Sequence, residues 1–495
     1  MKALLDSKQM KDVDSRTIKE RHVPGLLLME RAALFACNII TEMIDPGESV
    51  LVLAGAGNNG GDGIAIARIL HAEGIPVAVI LAGNRDKASK DNKAQLEMAE
   101  SYGVPFLEDA ESMSSFGLIV DALVGVGGSG SLRDDAAALV SAADLLPVKR
   151  VAIDMPSGVS CDDGSVSGPA FMADVTITFG YEKVGMHLYP GRSYCGRILR
   201  DRLGMPENFL PDPDSVLWAL EKSDIRRLAP ARMDDCHKGD MGKVLVIAGS
   251  SGMAGAAYLA AAGAFSAGCG MVRIASCEDN RQILQSLIPE AMFTSLDIET
   301  YEDKLDECFE WADAVVIGPG LGDSLFSLNV LGFVLSTTTL PVTVDADGLN
   351  LYSRIKCNIA SRDVVFTPHM GEFARLTGIS PGEIAAERIA LVRDQATSYH
   401  VHMVLKDAST LVFTAGGRGY ISTSGNSGMA VAGSGDVLSG VITALMARGI
   451  NSSVAAPLGV YLHGLAGDAV RSERSAESMR AIDIVNGLDR VWQVL

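Results

Sequence analysis

The sequence has no long basic run, and its 495 residues carry a formal net charge of −19. This balance argues against nucleic acid and anionic membrane surfaces as partners, because both attract clustered Lys and Arg side chains. We therefore expect small-molecule ligands, with any phosphate group bound locally by backbone N–H groups.

None of the eight cysteines forms a Cys-x-x-Cys pair or has zinc-finger spacing with a histidine. This pattern is typical of reduced cysteines in a cytoplasmic protein. The segment Met1–Asp14 is charged throughout, which is unlike a signal peptide. The longest run of small apolar residues, Met253–Ala267, is shorter than a membrane span, and we interpret it as a buried helix.

Aromatic residues are also few, at 5%, whereas apolar residues reach 48% and there are 52 glycines. This composition favours α/β layers with closely packed helices. Short apolar runs such as Ser49–Ala54 and Val151–Asp154 alternate with helical segments such as Val13–Met43. The alternation predicts a Rossmann-like, doubly wound parallel sheet. Three prolines among acidic residues in Leu203–Asp214 predict a boundary between two α/β domains, residues 1–214 and 215–495.

The first of these domains contains a glycine loop, Gly55–Gly63, with the sequence G-A-G-N-N-G-G-D-G. It formally matches a dinucleotide fingerprint, but the next strand does not end in the acidic residue that would hold a ribose. The oxygens of Asn59, Asp121 and Ser157 follow strand ends, where two interpretations are open. They form a ring around a hard cation, or they are turn and cap residues.

Three motifs in order, Gly57–Gly63, Asp121–Gly125 and Asp154–Gly158, resemble the NAD(P)H-hydrate epimerase domain over roughly the first 210 residues. The resemblance implies that Asp154 is the acid/base residue at the carbon bearing the hydroxyl. It also implies that Asn59, Asp121 and Ser157 bind potassium. The implied ligands of the hydrated nucleotide are Asn58, Asn59, Gly60, Gly61, Asp62, Gly125, Val126, Gly127, Gly128, Ser129, Gly130, Ser131 and Asp154.

The second half is organised around Ala430–Gly440, A-V-A-G-S-G-D-V-L-S-G, a small-residue loop that leads into an apolar helix. Gly433 and Gly435 permit close backbone approach, and the free N–H groups of the helix start form an anion site. A carboxylate there suits a base that deprotonates a hydroxyl attacking a phosphoryl group, which we assign to Asp436. The alternative is a glycine C-cap followed by an N-capping Asp.

Other loops of the second half also follow predicted strands and carry polar groups. Lys406 and Thr410 offer an ammonium and a hydroxyl to phosphoryl oxygens, and His369 lies in T-P-H-M-G-E-F. As a set, these motifs resemble the ADP-dependent NAD(P)H-hydrate dehydratase from about Asp224 to the end of the sequence. The resemblance implies a ribokinase-like α/β/α fold and a Mg²⁺ requirement. It places the hydrated nucleotide at Ala256, Gly320, His369 and Asp436, and the adenine nucleotide at Lys406, Asp407, Ala408, Ser409, Thr410 and Gly435. Met370 departs from the family, where a proline is expected after the histidine.

Together the two resemblances imply a bifunctional repair enzyme that epimerises hydrated NADH or NADPH and dehydrates the S form, converting ADP to AMP and phosphate. They also imply a homo-oligomer. Two alternatives stay open at this point. One is a ribokinase-like small-molecule kinase fused to a nucleotide-binding domain, and the other is a first domain that binds without catalysing.

Overall fold

The computed structural model describes residues 1–108, 110–128, 131–229 and 231–494. The chain folds as two compact units, Ala3–Leu217 and Trp218–Leu495, and Met1–Lys2 groups with the second. The division follows directly after the proline-rich segment, whose prolines and acidic residues disfavour regular structure.

The elements of the first part of the chain alternate between strands and helices. The strands are β1 (Lys2–Leu5), β2 (Val50–Ala54), β3 (Val77–Leu81), β4 (Phe106–Leu107), β5 (Leu118–Ala122), β6 (Lys149–Ile153), β7 (Val175–Phe179), β8 (Glu182–Lys183) and β9 (Arg197–Asp201). The helices are α1 (Ser7–Glu20), α2 (Gly25–Met43), α3 (Asn58–Ala72), α4 (Lys90–Ser101) and α5 (Asp134–Asp144).

The prediction of one helix over Val13–Met43 was wrong. Helix α1 ends at Glu20, and α2 begins after Pro24, which is its N-cap. The proline ring fixes φ and removes an N–H donor, so the chain interrupts the helix and restarts it there.

Within the described residues, seven strands of the first unit form a parallel sheet in the order β4-β3-β2-β5-β6-β7-β9. Strand β2 pairs with β3 on one side and β5 on the other, so the winding reverses between β2 and β5. Open parallel sheets bind ligands at this reversal, beyond the carboxyl ends of the strands. The prediction of a doubly wound sheet is confirmed. Outside it, β1 and β8 pair in parallel, with Leu5 opposite Lys183.

The second part of the chain repeats the alternation with a larger set of helices. The strands are β10 (Leu217–Ala219), β11 (Lys243–Ile247), β12 (Met271–Ser276), β13 (Met292–Ser295), β14 (Ala314–Ile317), β15 (Val342–Val344), β16 (Val364–Phe366), β17 (His402–Leu405), β18 (Leu411–Phe413) and β19 (Gly419–Ile421). The helices are α6 (Lys222–Leu228), α7 (Ala254–Ser266), α8 (Arg281–Leu287), α9 (Tyr301–Trp311), α10 (Leu325–Thr337), α11 (Asp347–Ile355), α12 (Met370–Thr377), α13 (Pro381–Tyr399), α14 (Ser434–Ala447), α15 (Ser452–Arg471) and α16 (Ala481–Gln493).

The sheet of the second unit runs β13-β12-β11-β14-β15-β16-β17-β18-β19, parallel up to β17 and antiparallel across the last two pairings. Its winding reverses at β11, which pairs with both β12 and β14. Loops that follow β11 and β14 therefore meet at the position where such sheets bind ligands.

Helices α7 and α14 form the centre of the second core, and glycines let them approach closely. A Cβ atom on Gly440 would lie 2.0 Å from the carbonyl oxygen of Ala260, and one on Gly263 would lie 2.6 Å from that of Val437. Every residue of α14 from Val437 to Ala447 is buried. The helix start that carries Asp436 is therefore anchored by a fully packed helix. Among the described residues, no helix combines the length and the apolar character that crossing a bilayer requires.

Candidate active sites

A cavity of ≈ 890 Å³ lies at the carboxyl ends of β2, β5 and β6 in the first unit. Most of the residues predicted to bind the hydrated nucleotide line it. They are Asn58, Asn59, Asp62, Gly125, Val126, Gly127, Gly128, Ser131 and Asp154. Ser129 and Gly130 belong to the same prediction and lie outside the described residues.

Gly60 and Gly61, which belong to the same prediction, are buried in the first turn of α3 next to the cavity lining. A Cβ atom on Gly60 would lie 1.7 Å from the carbonyl oxygen of Gly55, so only glycine lets α3 begin against its own loop. Next to it, the Asn59 amide satisfies both neighbours when its nitrogen donates to the Ile153 carbonyl at 3.1 Å and its oxygen accepts from the Gly125 N–H at 3.2 Å. The loop is thus tied to the ends of two further strands.

Asp154 follows β6 and adopts a φ of +67°, a left-handed conformation that is rare for a residue with a side chain. Its Oδ1 accepts hydrogen bonds from the ammonium of Lys183 and from the hydroxyl of Thr178, the latter at 3.3 Å. Its Oδ2 faces Gly125, where a Cβ atom would lie 3.1 Å away. One carboxylate oxygen is therefore anchored, and the other faces the cavity.

Lys183 is a site residue that sequence reasoning missed. Its side chain is completely buried, and its ammonium also donates to the Thr178 hydroxyl at 2.6 Å and the Phe179 carbonyl at 3.0 Å. A buried lysine is rare unless it is paired. In the sequence it is one lysine shortly after a strand, and most such lysines are solvated.

Asp121 and Ser157 form a buried pair beneath the cavity. The Ser157 hydroxyl and N–H both donate to the Asp121 carboxylate at 2.7 Å. Asp121 is fully inaccessible, and burial raises its pKa to about 6 although the Ser157 hydrogen bonds act in the opposite direction. A buried carboxylate beside hydroxyl, amide and carbonyl oxygens is the donor set of an alkali or other hard cation.

Two further carboxyl groups line the same cavity. Burial, followed by the charges of Asp154 and Asp14, raises the pKa of Asp62 well above its usual range. Asp14 comes from α1 and was not predicted as a site residue. Burial, followed by the charge of Asp154, raises its pKa to about 6.

The second candidate site lies at the start of α14. Gly433 caps the helix with a φ of +89°, which favours glycine, and Asp436 lies in the first helical turn. A Cβ atom on Gly435 would lie 3.1 Å from the ammonium of Lys406. The structure thus brings together Lys406, Gly435 and Asp436, three of the predicted residues, at an amide-rich helix start.

Lys406 in turn contacts an acidic wall that the predicted residue set did not include. Its ammonium lies 2.6 Å from Asp345 Oδ1 and 3.9 Å from Glu372 Oε2. Burial would lower the pKa of Lys406, but the charges of Asp345 and Glu372 outweigh it and raise that pKa. Within the described part of the chain, the buried Oδ2 of Asp345 has no hydrogen-bond partner.

This environment changes the acidity of Asp436. Burial and then the charge of Asp345 raise the pKa of Asp436 to about 7, and the ammonium of Lys406 acts against them. A carboxylate with this pKa is well suited to accept a proton near neutral pH.

Gly320 and Ala256 are adjacent in the structure. Gly320 has a φ of +58°, and a Cβ atom on it would lie 2.9 Å from the Ala256 Cβ. Its carbonyl accepts a hydrogen bond from the Ser250 N–H at 2.6 Å, which joins the loops after β11 and β14. The second of these loops also contacts the start of α11, because the Gly322 N–H donates to the side chain of Asp347 at 2.9 Å.

His369 is the N-cap of α12, and its Nδ1 accepts a hydrogen bond from the Gly371 N–H at 2.9 Å. Its ring is half exposed, and Met370 begins the helix where the resemblance expects proline. The following Glu372 accepts from the His369 N–H at 2.8 Å, so the histidine and the acidic wall share one helix start.

The loop that follows β17 holds the remaining predicted nucleotide ligands. Asp407 accepts hydrogen bonds from Arg388 at 3.0 Å and from the Ala408 N–H at 2.7 Å. The Thr410 hydroxyl donates to the Asp407 carbonyl at 3.2 Å, and Ser409 is buried. The Asp407 side chain is therefore engaged in shaping the loop, which leaves backbone groups and Thr410 as its polar surface.

Two family models match this chain, one in each unit. The model described as YjeF-related protein N-terminus matches residues 25–185, and the model described as NAD(P)H-hydrate dehydratase matches residues 244–490. The first match spans all three motifs of the cavity, and the second contains Asp345, Lys406 and Asp436.

Curated relatives resemble the chain along its whole length. A bifunctional NAD(P)H-hydrate repair enzyme Nnr from Coxiella burnetii is 35% identical over 98% of this chain and 98% of its own. One from Escherichia coli is 35% identical over 94% of this chain and 89% of its own.

Solved structures resemble the second unit. An ADP/ATP-dependent NAD(P)H-hydrate dehydratase from Bacillus subtilis, co-crystallised with ATP and Mg²⁺, is 30% identical, covers 55% of this chain and 97% of its own, and has a TM-score of 0.50. A ribokinase-like superfamily protein from Enterococcus faecalis is 26% identical with a TM-score of 0.51, over 56% of this chain and 96% of its own. The prediction of a ribokinase-like second domain is confirmed.

Proposed function

Since the chain belongs to the family of bifunctional NAD(P)H-hydrate repair enzymes, we propose that its two units perform successive steps of one repair. The first unit interconverts the R and S epimers of hydrated NADH or NADPH. The second dehydrates the S epimer and consumes a nucleotide. The observation that carries the second assignment is the meeting of Asp436, Lys406 and Gly435 at one helix start.

For dehydration, we assign Asp436 the role of general base. It accepts the proton of the substrate hydroxyl, whose oxygen attacks the terminal phosphoryl group of ADP and releases AMP. The ring nitrogen then donates its electron pair, and phosphate leaves from the carbon that carried the hydroxyl. The ring carbon next to that carbon loses a proton, which restores the reduced nicotinamide. Phosphate is a far better leaving group than hydroxide, so one nucleotide is consumed per repair.

Lys406 and the backbone amides around Gly435 are suited to hold the phosphoryl oxygens. An ammonium that is already fixed by Asp345 needs no rearrangement when charge develops on the phosphoryl group. The resemblance assigns ADP to this chain, whereas the Bacillus subtilis relative is named for both ADP and ATP.

The acidic wall also suits Mg²⁺, which the Bacillus subtilis relative was crystallised with. The orphaned Oδ2 of Asp345 is a buried oxygen without a donor in the described residues, and it fits a metal ion or a water bound to one. Asp345 and the nucleotide phosphates would hold the ion. When bound, it neutralises phosphate charge during transfer.

For epimerisation, we assign Asp154 the acid/base role at the hydroxyl-bearing carbon. Lys183 fixes its Oδ1, so Oδ2 is presented to the cavity in one orientation. Asp121, Ser157 and Asn59 would hold a K⁺ ion through carboxylate, hydroxyl and amide oxygens, the oxygen types that hard cations prefer. When bound, the ion would neutralise the buried charge of Asp121.

One experiment separates the two activities. The full chain is incubated with a mixture of both epimers of hydrated NADH, ADP and Mg²⁺ at low temperature and short times, and reduced nicotinamide is followed by its absorbance. Recovery of the whole mixture faster than spontaneous epimerisation supports both assignments. Recovery that stops at the S fraction contradicts the epimerase, and no recovery contradicts the dehydratase in favour of a small-molecule kinase.

A further inference from the structure

We infer that Asp14 is a second acid/base residue of the cavity in the first unit, acting on the same hydroxyl-bearing carbon as Asp154. The inference rests on the proposed epimerase function of that cavity. Asp14 lies on α1, before the residues 25–185 that the family model matches.

The fold places α1 beside the end of the cavity where Lys183 binds Asp154. Strand β1 pairs with β8, which places Leu5 opposite Lys183, and α1 begins two residues later. Met10 then packs on the turn before β8, since a Cβ atom on Gly180 would lie 2.7 Å from the Met10 methyl group. Residues four apart share one face of a helix, so Asp14 follows Met10 on the side that faces the cavity.

Met10 and Asp14 both line the cavity, together with Asp62, Asp154 and Lys183. Three of these side chains are carboxyl groups, and the ammonium of Lys183 is bound to Asp154. Asp14 and Asp62 therefore add two further carboxyl groups to the site of Asp154, and burial raises the pKa of each. The other charged residues that line the cavity are Lys11, Lys87, Asp91, Arg133 and Asp135.

Inverting the carbon requires one proton donor and one proton acceptor. The carbon–oxygen bond breaks as the ring nitrogen supplies its electron pair, and the hydroxyl takes a proton from Asp14 and leaves as water. A water molecule then adds to the other face of the planar carbon and gives a proton to Asp154. Atoms balance, since one water leaves and one enters, and the proton returns from Asp154 to Asp14 through water.

The acidity of Asp14 suits the role of proton donor. Burial and the charge of Asp154 raise the pKa of Asp14 to about 6, so a useful fraction carries a proton near neutral pH. Because the donor must be protonated, we expect the epimerisation rate to rise as pH falls through this value.

The test uses the full chain without ADP, which leaves dehydration idle, and the purified R epimer of hydrated NADH as the probe. Appearance of the S epimer is followed by chromatography, and the spontaneous rate at each pH is subtracted. We expect Asp14→Asn to lower kcat by about 100-fold with little change in KM, and to remove the rise at low pH. Asp12→Asn is the matched control, since its side chain lies on the same helix and is 59% exposed.

Rescue separates chemistry from folding. Asp14→Glu keeps a carboxyl group, so part of the rate and the pH dependence should return. A wild-type rate and pH profile in Asp14→Asn would overturn the inference, as would a change in KM alone. If Asp14→Asn does not fold, the wild-type profile decides, because a profile without an ionisation near the pKa of about 6 overturns it. A wild-type chain without epimerisation would instead defeat the proposed function.

Discussion

The ammonium of Lys406 is held 2.6 Å from a carboxylate oxygen of Asp345, and the same ammonium lies against the start of α14. The two residues act on Asp436 in opposite directions, because Asp345 raises its pKa and Lys406 lowers it. Burial raises the pKa of the proposed base most, and the two opposing charges of this ion pair then adjust it.

We expect dehydration to accelerate as pH rises through the pKa of about 7 of Asp436, since the base must be ionised to accept a proton. Lys406→Met removes the charge that lowers this pKa, so the midpoint should move to higher pH while the plateau also falls. Single-turnover rates with S-epimer and ADP at several pH values measure both. Lys304→Met removes a surface lysine paired with Asp297 and serves as the control. An unmoved midpoint in Lys406→Met would contradict the assignment.

Asp436→Asn should lower the dehydration rate by about 1,000-fold and leave epimerisation unchanged, because only the second reaction uses this carboxylate. Asp154→Asn is the reciprocal variant, which should lose epimerisation and keep dehydration of purified S epimer. Each variant is thus the control of the other when both reactions are assayed on both proteins. Loss of both activities in either variant would show that the roles are not separate.

Asp436→Asn should also stabilise the second unit at neutral pH. The pKa of Asp436 is about 7 in the fold against 3.8 for an ordinary Asp, so the folded state binds more protons between these values. Stability therefore falls as pH rises through this window, and the loss is complete above it. Asp436→Asn should melt at a higher temperature than the wild type at pH values above the folded pKa, and the difference should vanish in acid. Thermal unfolding at both pH values measures this, and an equal gain in acid would contradict it.

Much of this molecule could be predicted from its sequence, because buried parallel strands are continuous apolar runs and their ends carry the polar loops. The strands β2, β5 and β6, the glycine loop and the helix start at Asp436 have such local patterns. The partners of the proposed catalytic residues do not. Lys183 and Asp345 become site residues only when distant segments of the chain meet, because each finds its charged partner far away in the sequence.

Asp14 shows the same limit in a different way. It lies in a segment that the sequence predicts as helical, but the cavity beside that helix depends on the pairing of β1 with β8. These strands are short, and a two-residue strand such as β8 has too little periodicity to be recognised.

The glycine loop after β2 offers a test of packing with a matched pair of substitutions. Gly60→Ala places a Cβ atom 1.7 Å from the Gly55 carbonyl oxygen, so the backbone must move. We expect the free energy of unfolding of the first unit to fall by about 1–3 kcal/mol. Gly57→Ala meets no atom within 4 Å, so we expect only the cost of alanine at the N-cap of α3, about 0.5–1 kcal/mol. Chemical denaturation measures both. Equal losses would show that the loop is not packed as described.

The pair formed by Lys183 and Asp154 should show strong coupling. Removing either partner leaves a charge in a poorly solvated place, and losses of roughly 3 kcal/mol are typical when a buried pair is broken. The double variant Asp154→Asn with Lys183→Met leaves neither charge and should lose much less than the sum. Unfolding free energies of the three variants give the coupling energy, and simple additivity would contradict the pairing.

The left-handed backbone of Asp154 restricts which genetic changes the first unit can survive. Asn and Gly tolerate that conformation, whereas β-branched side chains do not. In a saturation library at this codon, folded clones should concentrate in Asp, Asn and Gly, and only Asp clones should rescue cells that depend on the epimerase. A lineage that loses this activity by drift at the codon would therefore pass first through Asn or Gly, each a single-base change that the left-handed backbone permits.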